Sequence, residues 1–306
     1  MKIKKISHKL SGNKIFIKNI VPKSQYQNIF NTTGISKIYN CKKNEDIISL
    51  AFEASKKIIK KNEQIDIDAL ILITETPKYN IPPNSYILHE KLKLKKKCMV
   101  FDVNQGCSGY IYGLSLANSL FLSENFNNIL LITTDNYSRY CKKLNVKLLF
   151  SDCATATILS KDSKKNNKFS FSSFGMKNNK LIQKYSNYSS NINSNNLLMD
   201  GSGVFDFTIN NVPLEINSFL KKNKIKMGNI DFFIFHQASK IVLQNIQRKL
   251  KVKNNKILNN YSEFGNTVSS SIPLIISKYK NKIKNKKILL CGYGVGLSIG
   301  VSYLEL

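Results

Sequence analysis

The sequence predicts an α/β fold of two similar halves, each of βαβαβ type, with mixed, mostly parallel sheets packed in layers with helices. Three observations predict it. Short apolar runs of strand length alternate along the chain with stretches of helical periodicity. The same order of elements occurs twice. Polar residues of catalytic type stand where apolar runs end, and the carboxyl ends of parallel strands are where such sheets bind ligands. The halves are expected over residues 1–160 and 161–306, the second opening with a loop-rich excursion over 161–196.

A first helix is expected over about Asn44–Lys61, with Asn44 as N-cap, Glu45 and Asp46 in the first turn and lysines at the end, all suited to the helix dipole. Ala69–Thr74 is an apolar run that reads as a buried strand, followed by a helix over about Asn84–Leu94. Met99–Val103 is a strand, and Cys107 begins a turn into a helix over about Ser108–Leu122, with Ile111, Leu114, Leu116 and Leu120 on or near one side. Ile129–Thr133 and Ala154–Leu159 are strands. Lys161–Asn196 is crowded with Lys, Asn and Ser and reads as surface loops, as in Asn193-Ser194-Asn195-Asn196. The plan then repeats. Phe232–Phe235 is a strand that delivers His236, and Lys240–Leu250 is a helix with Ile241, Ile246 and Leu250 apolar. Ile257-Leu258 is a short strand leading to Gly265-Asn266, Val268–Lys278 a helix, and Ile288–Leu290 and Leu297–Leu304 the closing strands.

At 306 residues and 42% hydrophobic, the chain can bury a sizeable core. No apolar run approaches the roughly 20 residues of a membrane helix, so no membrane association is expected. The N-terminus lacks an apolar signal region, and a cytoplasmic location is expected. The net charge of +28 comes almost wholly from lysine, Arg139 and Arg248 being the two arginines. A nucleic-acid reader would favour arginine for bidentate contacts. No nucleic acid is therefore expected, and an acidic protein partner fits the charge at least as well. The six cysteines show no C-x-x-C spacing and no nearby histidine, which signals neither a zinc site nor a redox pair.

Three residues carry candidate chemistry. Cys107 lies at a strand-to-helix turn, His236 directly after a strand, and Asn266 after Gly265 at the start of a helix. Singly, each has a plainer reading: a packed thiol, a satisfied structural histidine, a turn asparagine. Their matching placement at element ends in the two halves suggests convergence. The helix after Cys107 points its N-terminus at the sulfur and would favour the thiolate.

These segments resemble the β-ketoacyl-acyl-carrier-protein synthase III family of the thiolase superfamily, over about Thr33 to Leu306. The likeness rests on Thr33-Gly34-Ile35, Thr74-Glu75-Thr76-Pro77, Pro82-Pro83, Gly106-Cys107-Ser108-Gly109, His236-Gln237-Ala238, Gly265-Asn266-Thr267, Ser271-Ile272-Pro273 and Gly292-Tyr293-Gly294-Val295-Gly296-Leu297-Ser298, all in order. The resemblance implies a duplicated thiolase-like fold and a homodimer paired near Met99–Val103. It implies that Cys107 is acylated by a primer thioester. A malonyl thioester would then lose carbon dioxide, with His236 and Asn266 stabilising the enolate. The tetrahedral oxyanion would be held by the backbone N–H groups of Cys107 and Val295, and no metal or redox cofactor is involved. Asn suits position 266 because a carboxylate there would repel the developing enolate. The family receives its acidic acyl carrier protein on basic residues of the helix after the histidine. Arg248 and Lys249 match those positions, with Lys240 a further candidate.

The chain departs from the family in four places. The tryptophan and arginine that hold the adenine of coenzyme A are replaced by what look like Asn28 and Thr32, so acyl carrier protein is the expected donor. Ser151-Asp152-Cys153 stands for Gly-Asp-Gly, Ser239 for an Asn, and Pro82 for an aromatic gate residue. Two other readings remain: acyl transfer to an alcohol or amine without condensation, and a non-enzymatic basic binding protein.

Overall fold

The computed structural model describes residues 1–59, 65–123, 125–175, 181–183 and 197–306. In chain order its strands are β1 (Lys2–Leu10), β2 (Asn13–Phe16), β3 (Lys37–Asn40), β4 (Ala69–Ile73), β5 (Met99–Val103), β6 (Asn128–Asp135), β7 (Cys153–Ser160), β8 (Lys168–Ser173), β9 (Leu181–Ile182), β10 (Leu198–Met199), β11 (Phe232–Phe235), β12 (Lys287–Gly294) and β13 (Ser298–Glu305). The helices are α1 (Lys23–Thr33), α2 (Ile47–Lys56), α3 (Asn84–Leu92), α4 (Gly109–Leu120), α5 (Leu144–Lys147), α6 (Gly201–Lys222), α7 (Lys240–Leu250), α8 (Tyr261–Phe264) and α9 (Ser271–Tyr279).

Two sheets organise the molecule. One has the order β1-β7-β6-β4-β5 and the other β11-β12-β13-β8. One buried cluster joins side chains from both sheets, such as Ile71 and Leu131 from the first and Ile234 and Leu290 from the second, to α4 and α9 between them. A second cluster packs α2 and α3 on the outer face of the first sheet, and a third packs α6 and α7 on the outer face of the second. The result is five alternating layers of helix and sheet. Leu114 of α4 is fully buried in the central layer, a position where burial contributes on the order of 2 kcal/mol.

The sheets are mixed, but parallel pairing is less extensive than expected. Among the described residues, parallel strand pairs are β4 with β5, β4 with β6, and β11 with β12. β12 and β13 are joined only through Val295–Leu297, a connection too short for anything but an antiparallel return. The parallel strands all end on the side where the candidate residues lie.

Several local expectations are corrected. The helix expected from Asn44 starts at Ile47, because Asp46 and Ser49 form a reciprocal capping box: the Ser49 N–H donates to Asp46 at 2.8 Å and the Asp46 N–H to the Ser49 hydroxyl at 2.9 Å. It ends at Lys56, and the expected end at Lys61 lies outside the described residues. Leu116 does not belong to the buried face of α4 but is 38% exposed; that face is Tyr110, Ile111, Leu114 and Ala117. Ile241 likewise is exposed, while Val242, Leu243, Ile246 and Leu250 form the buried stripe of α7. Ile257 makes one isolated parallel bridge to Phe233 in place of a strand, and α8 intervenes before Asn266. Within the expected loop excursion, β8 pairs with β13 along Lys168–Tyr303 to Ser173–Ser298. Asn193–Asn196 lie outside the described residues.

Candidate active site

The site forms where β5, β11 and β12 end. After β5, a turn carries Cys107, and Ser108 stands at the N-cap of α4. The close approach of β12 fixes the sulfur. A Cβ at Gly294 would lie 2.9 Å from the Cys107 Sγ, and Gly294 has φ +148°, so the position needs glycine on both counts. The backbone N–H groups of Val295 and of Cys107 itself both reach the thiol and favour its charged form. The two donors named from the sequence for the oxyanion therefore stand at one sulfur.

His236 follows β11, its backbone N–H donating to the Cys291 carbonyl at 2.8 Å. The ring meets Tyr293 edge-on at 5.5 Å, and its Nδ1 lies 2.7 Å from the Ser271 hydroxyl. Burial holds its pKa down to about 3, so the imidazole is neutral. Asn266 is anchored by a parallel bridge to Phe150, and its Oδ1 accepts the Val268 N–H at 2.9 Å. With that oxygen occupied, the amide NH₂ is the end left for a ligand. Cys107, His236 and Asn266 line one cavity of about 380 Å³. Its exposed lining residues are Thr32 at the end of α1, Gly201 and Ser202 on α6, and Ile241 on α7.

The expected thiolate-favouring setting is only half present. Burial and the nearby Glu75 carboxyl push the Cys107 thiol up, against the two backbone N–H groups. Glu75 is packed on the nucleophile turn, where a Cβ at Gly106 would come 2.1 Å from its Oε2.

Comparison with known proteins bears on this arrangement. The family model of 3-oxoacyl-[acyl-carrier-protein] synthase III matches residues 101–178, and the model of its C-terminal part matches residues 220–306. The β-ketoacyl-[acyl-carrier-protein] synthase III of Fusobacterium nucleatum is 32% identical over 289 residues, covering 89% of this chain and 88% of that one. The chain belongs to the β-ketoacyl-acyl-carrier-protein synthase III family. The synthase III of Clostridium botulinum is 31% identical over 273 residues, 84% of this chain and 83% of its own. A crystal structure of a 3-oxoacyl-(acyl-carrier-protein) synthase III matches with a TM-score of 0.91 at 28% identity, over 99% of both chains. The duplicated thiolase-like fold is that of these synthase III structures.

The departures from the family pattern have local explanations. Ser151 uses its hydroxyl to accept the Tyr39 N–H at 3.0 Å, and Asp152 accepts the Cys41 N–H at 2.7 Å and the Ser138 N–H at 3.0 Å. Ser151 thereby holds β3, and Asp152 the turns at Cys41 and Ser138. Thr32 is exposed at the cavity mouth and bonds back to the Asn28 carbonyl at 3.0 Å, while Asn28 lies a turn further out. Ser239 lines the cavity at the start of α7. In the last turn of the same helix Arg248 and Lys249 are exposed, Lys249 donating to Asn210 at 3.1 Å; Lys240, at its start, is half-buried.

Sequence reasoning quoted Ser271, Glu75 and Thr76 only as parts of motifs and gave them no task. Tyr137 and Asp135 it did not single out. Nor did it assign α6, whose Ser202, Val204, Phe205 and Thr208 wall the cavity.

Proposed function

We propose that the chain catalyses decarboxylative condensation of an acyl primer, carried on Cys107, with a malonyl thioester to give a β-ketoacyl-acyl-carrier protein. The observation that carries the reading is the way His236 and Asn266 are tied down. The His236 Nδ1 lies 2.7 Å from the Ser271 hydroxyl, the ring is also held by a hydrogen bond to the Val268 backbone, and the Asn266 Oδ1 accepts the Val268 N–H, which turns the Asn266 amide NH₂ toward the cavity.

In the first half-reaction the Cys107 sulfur attacks the acyl thioester, and the carrier thiol leaves with the proton that Cys107 gives up. The N–H groups of Cys107 and Val295, which stand at the sulfur, donate hydrogen bonds to the tetrahedral oxyanion. In the second, the malonyl thioester loses carbon dioxide. The electron pair of the broken C–C bond moves into an enolate whose oxygen takes hydrogen bonds from His236 Nε2–H and the Asn266 amide. This step requires the tautomer in which the Ser271 hydroxyl donates to Nδ1 and the proton sits on Nε2. The enolate carbon then attacks the acyl-cysteine, and the sulfur leaves. Neutral donors suit this oxygen, because a resident cation or anion would respectively trap or repel it.

The thioesters enter between α1 and α7. Arg248 and Lys249 with Lys240 form the basic approach for the acidic carrier protein. The two halves, residues 1–160 and 161–306, act as the nucleophile-bearing and donor-bearing units. Two copies pair along the free edge of β5, beside which Met99, Tyr79, Tyr86 and Ile81 expose apolar side chains, Ile81 at 87%. Six free cysteines fit a cytoplasmic setting.

The test is to incubate the protein with acyl thioesters and measure intact mass, then add a malonyl thioester and measure carbon dioxide. An acyl adduct of Cys107 followed by carbon dioxide and β-ketoacyl product is expected. An adduct that passes to an alcohol or amine with no carbon dioxide would turn the reading to plain acyl transfer.

A further inference from the structure

Cys107 shares its surroundings with acids that the condensation does not use. Glu75 follows β4, Asp135 ends β6, and Tyr137 lies just beyond, so parallel strands deliver all of them beside the nucleophile turn. The Tyr137 hydroxyl donates to Glu75 Oε2 at 2.8 Å, and the Gly106 N–H also favours the charged Glu75. The Glu75 backbone N–H donates to Asp135 Oδ1 at 2.9 Å. Asp135 receives the Ser269 hydroxyl and, at 3.2 Å, the Ser269 N–H, with the Thr74 and Thr76 hydroxyls at 3.4 and 3.5 Å. Every group facing Glu75 is thus an acid, a phenol, a hydroxyl, a thiol or an amide. Among the described residues no cation acts on it.

We propose that Glu75 gates the nucleophile: Cys107 gives up its proton readily only while the Glu75 carboxyl keeps its own. This deepens the function proposed above and rests on Cys107 being the acylated residue. The physical reason is charge. Asp135, when ionised, has its oxygens met by several donors. Glu75 and the Cys107 thiolate would add two more negative charges at close range with no positive charge to balance them. Burial and Asp135 push the Glu75 carboxyl up to about 8, which keeps it protonated at neutral pH. Burial also raises Asp135, to about 7. The carboxyl and the thiol therefore titrate as a coupled set: the carboxyl gives up the first proton, and its charge then holds back that of the thiol. Glu75 acts through Cys107 and is a positioning residue.

The test is the pH profile of Cys107 alkylation by iodoacetamide, read on the Cys107 peptide by mass spectrometry. For an uncoupled thiol the rate rises about tenfold per pH unit below its own pKa. The unmodified protein is expected to follow that slope to near pH 8 and then flatten. Glu75→Gln should match it at pH 7, keep rising, and be about tenfold faster at pH 9. Tyr137→Phe removes the hydrogen bond that favours the charged carboxyl, so it should shift the flattening to higher pH. A purely structural Glu75 predicts rates scaled uniformly with the break unmoved, and that result would overturn the proposal. So would a single unbroken slope in the unmodified protein. Acylation by an acyl thioester is measured in parallel. If no Cys107 adduct forms but the alkylation break moves as described, the coupling of Glu75 to the thiol stands and the nucleophile assignment falls.

Discussion

The two halves bring opposite kinds of chemistry to one cavity. The N-terminal half supplies a thiol among acids: Cys107, Glu75, Asp135 and the Tyr137 phenol, all shifted upward by burial. The C-terminal half supplies neutral hydrogen-bond donors, His236 and Asn266, held by Ser271 and the Val268 N–H. Cys107 and His236 share one device, a polar residue beyond the carboxyl end of a parallel strand, whereas Asn266 follows α8. The halves differ in what surrounds these residues. On the nucleophile side the neighbours control a proton. On the donor side they fix orientation and leave no proton to gain or lose near neutral pH.

That contrast is broken most directly at its two centres. Cys107→Ala should abolish both acylation and condensation, read as loss of the acyl adduct by intact mass. A retained adduct on another cysteine with activity intact would remove the asymmetry altogether. His236→Ala and Asn266→Ala should leave Cys107 able to acylate while malonyl decarboxylation falls by roughly 10²-fold or more. Equal loss in both half-reactions would mean that the C-terminal residues serve the thiol. Ser271→Ala should cost decarboxylation less, about tenfold, because Nε2–H remains accessible as one tautomer but is no longer enforced.

The contrast also has a thermodynamic form. Below its ordinary value of 6.5 His236 stays neutral in the folded protein, whose pKa there is about 3. The unfolded chain binds the proton first, so this group removes stability as pH falls from about 6.5 toward 3. Glu75 does the reverse. Its ordinary value is 4.5 and its folded value about 8, so the folded state holds the proton longer. Its contribution is fully present below pH 4.5 and is lost as pH rises toward 8. Each slope is at most about 1.4 kcal/mol per pH unit. Denaturant midpoints across pH 4–9 check both signs: Glu75→Gln should flatten the alkaline decline, and His236→Ala the acid one.

How much of this was legible follows from what each element does. The strands β4, β6, β11 and β12 are buried on both faces and read as continuous apolar runs, so their place and the turn after each could be found. The strand β1 reads as lysines between isoleucines, because an edge strand keeps one side in water. In α6, Pro213 and the Asn210-Asn211 pair interrupt the helical pattern, yet the helix runs through, capped by Asp200 on the Gly203 N–H at 2.9 Å. Cys107, His236 and Asn266 were visible because each ends an apolar run or sits at a glycine. Glu75 was visible only as a letter in a motif. Its burial comes from contact with Gly106 and Tyr137, which lie 31 and 62 residues away in sequence, and no local pattern encodes that.

At the cavity mouth the charge contrast between the halves reverses. The N-terminal side ends in uncharged Asn28 and Thr32. The C-terminal side presents Arg248 and Lys249, exposed in the last turn of α7. The proposed docking of an acidic carrier protein uses this second side. Exposed pairs of this kind contribute little each, about 0.2–1 kcal/mol, and salt weakens them. Arg248→Glu combined with Lys249→Glu replaces attraction by repulsion at both positions. It should raise KM for the acyl-carrier-protein substrate by roughly three- to tenfold while leaving use of the matching coenzyme A thioester unchanged. Added salt should narrow the gap between the variant and the unmodified protein, since it screens both the attraction and the repulsion. An equal effect on both donors would place the damage in the fold of α7. No effect on either would move the carrier's footprint elsewhere on a surface rich in lysine, with the uncharged side of the mouth then as the place to look.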